Sequence, residues 1–441
     1  MGKREQKKTR HTGRWILLAA LLLLCAGIGL LLLFRPWQAA PSDGDASLPS
    51  VQPQADAEPD PQPQTDAEPV QQSRAEPESD PQPNSPAQAL LDSLTLREKV
   101  LQLFVVTPEQ LTGVTSATRA GDATRLALEA NPVGGLIYFD NNIQSRDQVQ
   151  EMISNSQSYS RLGLLIAVDE EGGSVARVGG NSAMGTTAFP SMGSIGADGD
   201  PEQAYSVGHT IAEDLKALGF NLDFAPVADV NSNPDNPVIG KRAFSDDPAV
   251  CAEMVARCVQ GFSDGGMLCT LKHFPGHGDT ADDSHYGEAE TTKTLAELEA
   301  CEFLPFAAGI EAGAPFVMVG HITAPALTQE PLPATLSHDI VTGLLREALG
   351  FDGLIITDSM QMAAISDRYS SGEAAVRALQ AGADMILMPA ELEDAVTGVL
   401  DAVERGTLSE ARIDESALRV LSCKLEAGII TEAQLSTALG H

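Results

Sequence analysis

The chain has 441 residues, with 61 acidic against 28 basic side chains and a formal net charge of −33. A surface of that sign repels nucleic acid and anionic lipid, which excludes both as ligands of the folded part. An acid surplus keeps an exported protein soluble and does not name a substrate.

The charge is unevenly spread. The first 35 residues carry Lys3, Arg4, Lys7, Lys8, Arg10, Arg14 and Arg35 against Glu5. Residues 1–14 read as a basic cytoplasmic tail, and Trp15 to Phe34 is a charge-free apolar run of twenty residues. About 20 such residues cross a bilayer core, and positive charge before them places that end in the cytoplasm and the remainder outside. A cleavable signal peptide is the rival, but its apolar core is usually about 7–15 residues. Length therefore favours an uncleaved anchor, with the protein single-pass in the cell membrane and its catalytic part extracytoplasmic. Residues 35–86 repeat Asp-Ala-Glu-Pro at 56–59 and 66–69 and Arg-Ala-Glu-Pro at 74–77. Rich in Pro, Gln and acids, this stretch cannot bury enough apolar surface to order itself and is expected as a solvated linker.

From Ala87 to 436 the pattern changes. Short apolar runs appear at 103–106, 134–139, 164–168, 221–227, 267–271, 316–320, 353–357 and 385–388. Segments with helical spacing separate most of them, such as Ala204 to Leu218 and Glu373 to Ala381. Eight strands alternating with helices predict an α/β fold, a single (β/α)8 TIM-type barrel. An open doubly wound sheet is the alternative, but no GxGxxG or Walker loop follows any strand. About fifty residues remain after the eighth strand, too few for a second domain, with helix-like stretches at 391–405 and 415–426. Cys251, Cys258, Cys269, Cys301 and Cys423 lack CxxC spacing, and Cys25 lies in the apolar run. They suit neither a disulfide framework nor a zinc site, and Cys251 and Cys258 are expected to pack in the core.

Polar residues fall at strand ends. Asp169 follows the third strand, Lys272 and His273 the fifth, His321 the sixth and Asp358 the seventh. Active sites of this barrel type occupy the C-terminal strand ends, so these side chains are expected at one mouth. The richest segment is KHFPGHGDT at 272–280, continuing as ADDSH to His285. Three histidines in a loop can hold a metal. His277 and His285 lack the i, i+4 spacing of a helical pair, so acid–base chemistry is favoured, with no metal and no cofactor expected. In Asp283-Ser284-His285 a carboxylate two residues from an imidazole can orient the ring and raise its basicity, and such a ring both gives and takes protons near neutrality.

KHFPGHGDT followed by Asp-Ser-His resembles the signature of glycoside hydrolase family 3, in its β-N-acetylglucosaminidase (NagZ-like) branch. Asp169-Glu-Glu-Gly-Gly with Arg177, Lys241-Arg242-Ala-Phe and Thr357-Asp358-Ser-Met agree with it, over roughly residues 90 to 430. The resemblance implies a retaining exo-β-N-acetylglucosaminidase that removes terminal GlcNAc from cell-wall-type glycans. Asp358 would be the nucleophile and His285, paired with Asp283, the general acid/base. Asp169, Arg177, Arg242, Lys272 and His273 would bind the sugar. Lys272, Arg177 and Arg242 are expected to keep Asp358 ionised. Glu170 is a departure, since relatives often carry Gln there. The alternatives are a GlcNAc phosphorylase using the same site and a non-catalytic glycan-binding barrel. A third, an enzyme of phosphorylated metabolites, lacks the expected Gly-rich phosphate loop.

Overall fold

The computed structural model describes residues 85–282, 287, 289–328 and 330–440. The tail at 1–14, the apolar run at 15–34, the linker up to residue 84, and Asp283 and His285 lie outside the described residues. Among the described residues no helix is long and apolar enough to cross a membrane.

Eight parallel strands form a barrel-like sheet: β1 (Phe104–Val106), β2 (Gly135–Ile137), β3 (Leu165–Val168), β4 (Leu222–Asp223), β5 (Leu268–Phe274), β6 (Phe316–Val319), β7 (Leu354–Thr357) and β8 (Ile386–Leu387). Neighbours in sequence pair in order, and β8 returns to β1 through Phe104↔Ile386 and Val105↔Leu387. A parallel bridge between Ile356 and Met385, with the Thr357 N–H donating to Met385 O at 3.1 Å, links β7 to the start of β8. Strands with both faces covered need apolar side chains throughout, and β1, β2, β3, β6 and β7 are buried at every residue.

All eight expected runs contain a strand, but two bounds move for physical reasons. The run at 221–227 keeps only Leu222–Asp223, because Pro226 has no N–H to donate to a ladder. The fifth strand runs to Phe274, so Lys272 and His273 sit on it instead of following it. Helices also start earlier than their apolar spacing implied. Asp200 caps Pro201–Leu218 by accepting the Glu202 N–H, and Ser370 caps Ser371–Ala381 by accepting that of Glu373. The first described helix, Pro86–Ser93, opens inside the stretch expected as linker, with Ser85 accepting the Gln88 N–H and Pro86 near the helix start. The final helix Glu432–Leu439 was not foreseen. Thr431 and Gln434 form a capping box there, and Gly440 closes it in the left-handed region. Cys251 and Cys258 are buried on the helix Pro248–Asp264, as core packing requires.

Candidate active site

At the C-terminal strand ends lies a cavity of about 430 Å³. Asp169, Arg177, Arg242, Lys272, His273 and Asp358 all line it, together with Glu171 and His277. Phe139, Met318, Met362, Leu387 and Met388 supply its apolar surface.

One wall is a chain of alternating charges. Lys272 Nζ lies 2.7 Å from Asp169 Oδ1 and 2.6 Å from Glu171 Oε1. Arg242 forks onto the same Glu171, donating from Nε and Nη2 at 2.8 Å each. Burial alone would raise the Glu171 carboxyl; Arg242 and Lys272 reverse that and hold it well below its ordinary value. Burial lowers Lys272 in turn, and Asp169 and Glu171 more than offset it, so the ammonium stays charged. Buried charges of this kind are tolerable only when paired. Arg242 and Lys272 are therefore held in place before any ligand arrives.

Behind this wall Asp229, fully buried, organises the start of the loop. Its carboxylate accepts the ring Nδ1–H of His273 at 2.7 Å and the backbone N–H groups of His273 and His277 at 3.2 and 2.6 Å. With Nδ1 as donor, His273 turns Nε2 towards Arg242 Nη2, 3.5 Å away. His277 Nδ1 is 2.7 Å from the Thr280 hydroxyl. Burial, then the neighbouring His273, lowers the His277 imidazole, which favours its neutral form. The loop beyond packs too tightly for side chains: a Cβ on Gly278 would sit 1.6 Å from Val230 O. Lys293 joins Glu302 at 2.5 Å and Asp279 at 3.3 Å, tying together the two ends of the segment that carries Asp283 and His285.

Asp358 follows β7. Its N–H donates to Val319 O at 2.9 Å, and its Oδ1 accepts the Ser359 N–H at 2.7 Å. Burial pushes this carboxyl up; the His273 and His321 imidazoles, the Ser359 N–H and Lys272 outweigh it, leaving it below its ordinary value. The expected source of that effect needs correction. Lys272 is the smallest of these contributions, because it and Arg242 are spent on Glu171 and Asp169. His321 also departs from expectation. It does not line the cavity, but donates from Nε2 to Ser359 O at 2.9 Å while Nδ1 lies 2.7 Å from the Thr335 hydroxyl. It supports the turn that follows Asp358.

Arg177 reaches the cavity from a hairpin in which Glu170–Gly172 pairs antiparallel with Val175–Ala176. Its Nη1 donates to Asp140 Oδ2 at 3.3 Å, and its guanidinium lies 6.0 Å from the Phe139 ring centroid. Among the described residues no group of three His, Cys, Asp or Glu side chains is arranged to hold a metal ion.

Six of the eight residues expected at the site thus line one cavity, and the other two, Asp283 and His285, lie outside the described residues. Sequence reasoning missed Glu171 and Asp229. Both had a signal, since Glu171 falls in the Asp-Glu-Glu-Gly-Gly motif and Asp229 is an acid two residues beyond the apolar run at 221–227. An ionised carboxylate, paired cations and carboxylates, and apolar side chains lining one cavity can bind a polyhydroxylated ring. They can also present a nucleophile to one of its carbons.

Residues 95–423 match the family described as glycosyl hydrolase family 3 N terminal domain. The chain is 36% identical over 336 residues to beta-hexosaminidase A of Pseudoalteromonas piscicida, covering 70% of this chain and 56% of that relative. It is 37% identical over 342 residues to beta-hexosaminidase LpqI of Mycobacterium tuberculosis, covering 75% of this chain and 83% of LpqI. The solved structure of a glycoside hydrolase family 3 beta-N-acetylglucosaminidase from Paenibacillus sp. FPU-7 is similar with a TM-score of 0.72 at 40% identity, covering 76% of this chain and 63% of that one. The chain therefore spans little more than half of the first relative and under two thirds of that solved structure. With this match, and with Asp169, Lys272, His273 and Asp358 around one cavity, the chain belongs to glycoside hydrolase family 3.

Proposed function

We propose that this protein is a retaining exo-β-N-acetylglucosaminidase, built on a (β/α)8 barrel, that removes terminal GlcNAc from cell-wall-type glycans. The observation that carries the reading is Asp358: a carboxyl held below its ordinary value at the end of β7, facing a cavity whose polar wall is already assembled. A retaining glycosidase needs such a carboxylate to attack the anomeric carbon and a second group to protonate the leaving oxygen. The motif assigns the second role to His285 with Asp283. The polar wall, with Asp169, Lys272 and Arg242, and Arg177 across the hairpin, is suited to hydroxyl and N-acetyl recognition. The relatives named beta-hexosaminidase support the N-acetyl preference. The basic tail and the twenty-residue apolar run support a single-pass, membrane-tethered protein whose barrel lies outside the cytoplasm.

The test uses p-nitrophenyl glycosides and a natural-type disaccharide. The β-N-acetylglucosaminide is hydrolysed far faster than the β-glucoside; equal rates would remove the N-acetyl specificity. His285→Ala loses much more activity on the disaccharide than on the aryl glycoside, whose leaving group needs little protonation. A uniform loss argues against the acid role. Sugar 1-phosphate formed when phosphate is added would shift the reading to phosphorolysis.

A further inference from the structure

Glu170 has no part in the mechanism above, yet it is almost fully buried, 4% exposed, next to the cavity wall. Its two carboxylate oxygens each take a backbone N–H from eight and nine residues further along: Val178 donates to Oε2 at 2.6 Å and Gly179 to Oε1 at 3.0 Å. The fit is close, since a Cβ on Gly179 would stand 2.7 Å from Oε1. Those two amides immediately follow Arg177, so the carboxylate closes the hairpin at the point where its guanidinium leaves for the cavity. An amide side chain of the same shape offers one acceptor and one donor to these two donors, and so does a carboxylic acid in place of the carboxylate.

We propose that Glu170 is a positioning residue: its carboxylate grips the Val178 and Gly179 N–H groups and so fixes Arg177 at the cavity, and loss of its negative charge releases that grip. The inference rests on Arg177 being a sugar contact. Burial pushes the Glu170 carboxyl up to about 7, against the pull of the two N–H bonds and of Arg177. The groups facing it do not fix its charge more firmly. Asp223 on β4 accepts the Glu170 N–H at 2.9 Å and is itself raised well above its ordinary value, chiefly by burial. Asp214, on the helix Pro201–Leu218, lines the same narrow gap and accepts the Thr187 N–H at 2.8 Å. Asp169 and Lys272 lie beyond Asp223 and are paired with each other. Glu170 is therefore charged above neutrality and becomes neutral as pH falls through about 7. The grip is present on the alkaline side and lost on the acid side.

The full-length chain, E170Q and R177A are compared across roughly pH 5.5 to 8.5, a range that brackets this titration. KM for the aryl β-N-acetylglucosaminide and amide exchange over residues 175–181, corrected for its intrinsic pH dependence, are both followed. In the wild type KM rises about three- to tenfold on the acid side, as expected for a partly compensated charge-assisted hydrogen bond. Exchange at Val178 and Gly179 quickens in step. E170Q shows the acid-side KM and exchange at every pH, with kcat little changed. R177A raises KM throughout but keeps the pH-dependent exchange. If E170Q retains the wild-type profiles, or lowers kcat and thermal stability with no change in those profiles, the positioning role is overturned while the R177A result upholds the sugar site. If R177A leaves KM unchanged, Arg177 is not a sugar contact and the inference falls with that reading.

Discussion

The two ends of the barrel both bury charge, and they use it differently. At the N-terminal strand ends Asp384, fully buried, accepts from Arg346 Nη2 at 2.7 Å, the Ser416 hydroxyl at 2.7 Å, Arg419 Nη1 at 3.2 Å and the Ile355 N–H at 3.1 Å. Arg412 stands 3.7 Å away. Both carboxylate oxygens are saturated, and the cluster clamps the helix Glu410–Glu426 onto the base of β7 and β8. At the C-terminal ends the pairing stops one residue short. Glu171 is saturated by Lys272 and Arg242 and Asp169 is paired with Lys272, but among the described residues Asp358 takes its hydrogen bond from a neighbouring N–H and no lysine or arginine bonds it. The base spends its cations on holding the fold. The mouth spends its cations on a rigid wall and leaves one carboxylate available for chemistry.

Asp358→Asn tests the contrast most severely. Turnover of the aryl β-N-acetylglucosaminide falls on the order of 10⁴-fold, as for loss of a covalent nucleophile. Thermal stability falls only modestly, because the folded site favours the ionised carboxylate that Asn removes but no cation is left buried without its partner. A variant that unfolded instead would show that the mouth is held together as the base is. Asp384→Asn gives the opposite pattern. Leaving three arginines short of their acceptor costs about 3–5 kcal/mol in urea unfolding, while kcat/KM of the folded fraction changes less than about twofold, a free-energy difference near RT. A large loss of kcat/KM with intact stability would erase the distinction between the two ends.

The same contrast explains what was legible in the sequence. The eight strands could be read because a strand covered on both faces must be largely apolar, as Leu354, Ile355 and Ile356 are in β7. Asp169, Lys272, His273 and Asp358 could be read because a charged side chain breaking such a run has few explanations other than a site. Pairings were not legible. Asp229 meets His273 44 residues away and Glu171 meets Arg242 71 residues away, and no local pattern encodes either distance. The base was invisible for a related reason: Asp384 stands alone in an Ala-Gly-Ala-Asp stretch, and its partners come from three separate segments. The helix Glu432–Leu439 escaped because it is short and has no fully buried residue, so Leu435, Ala438 and Leu439 give little more than one turn of apolar spacing.

Lys424 supplies the smallest and most diagnostic effect. It lies at the base, fully buried, and donates to Gln102 Oε1 at 2.8 Å and Gly163 O at 3.0 Å. Among the described residues no carboxylate pairs with it, unlike every cation around Asp384. Burial pushes its amine down to about 7, from about 10.4 in an unfolded chain. Between those values the unfolded chain holds a proton that the folded one has released, so raising the pH favours folding by up to about 1.4 kcal/mol per unit. Below about 7 both states are protonated and that dependence disappears. Lys424→Met keeps the volume and removes the titration. The stability of wild type relative to this variant should therefore climb between about pH 7 and pH 9 and stay flat below, with other groups cancelling in the difference. Urea midpoints at three pH values measure it. A difference that is constant throughout means the ammonium stays charged inside the fold, and the neutral carbonyls of Gln102 and Gly163 then stabilise a cation as fully as carboxylates do elsewhere at the base.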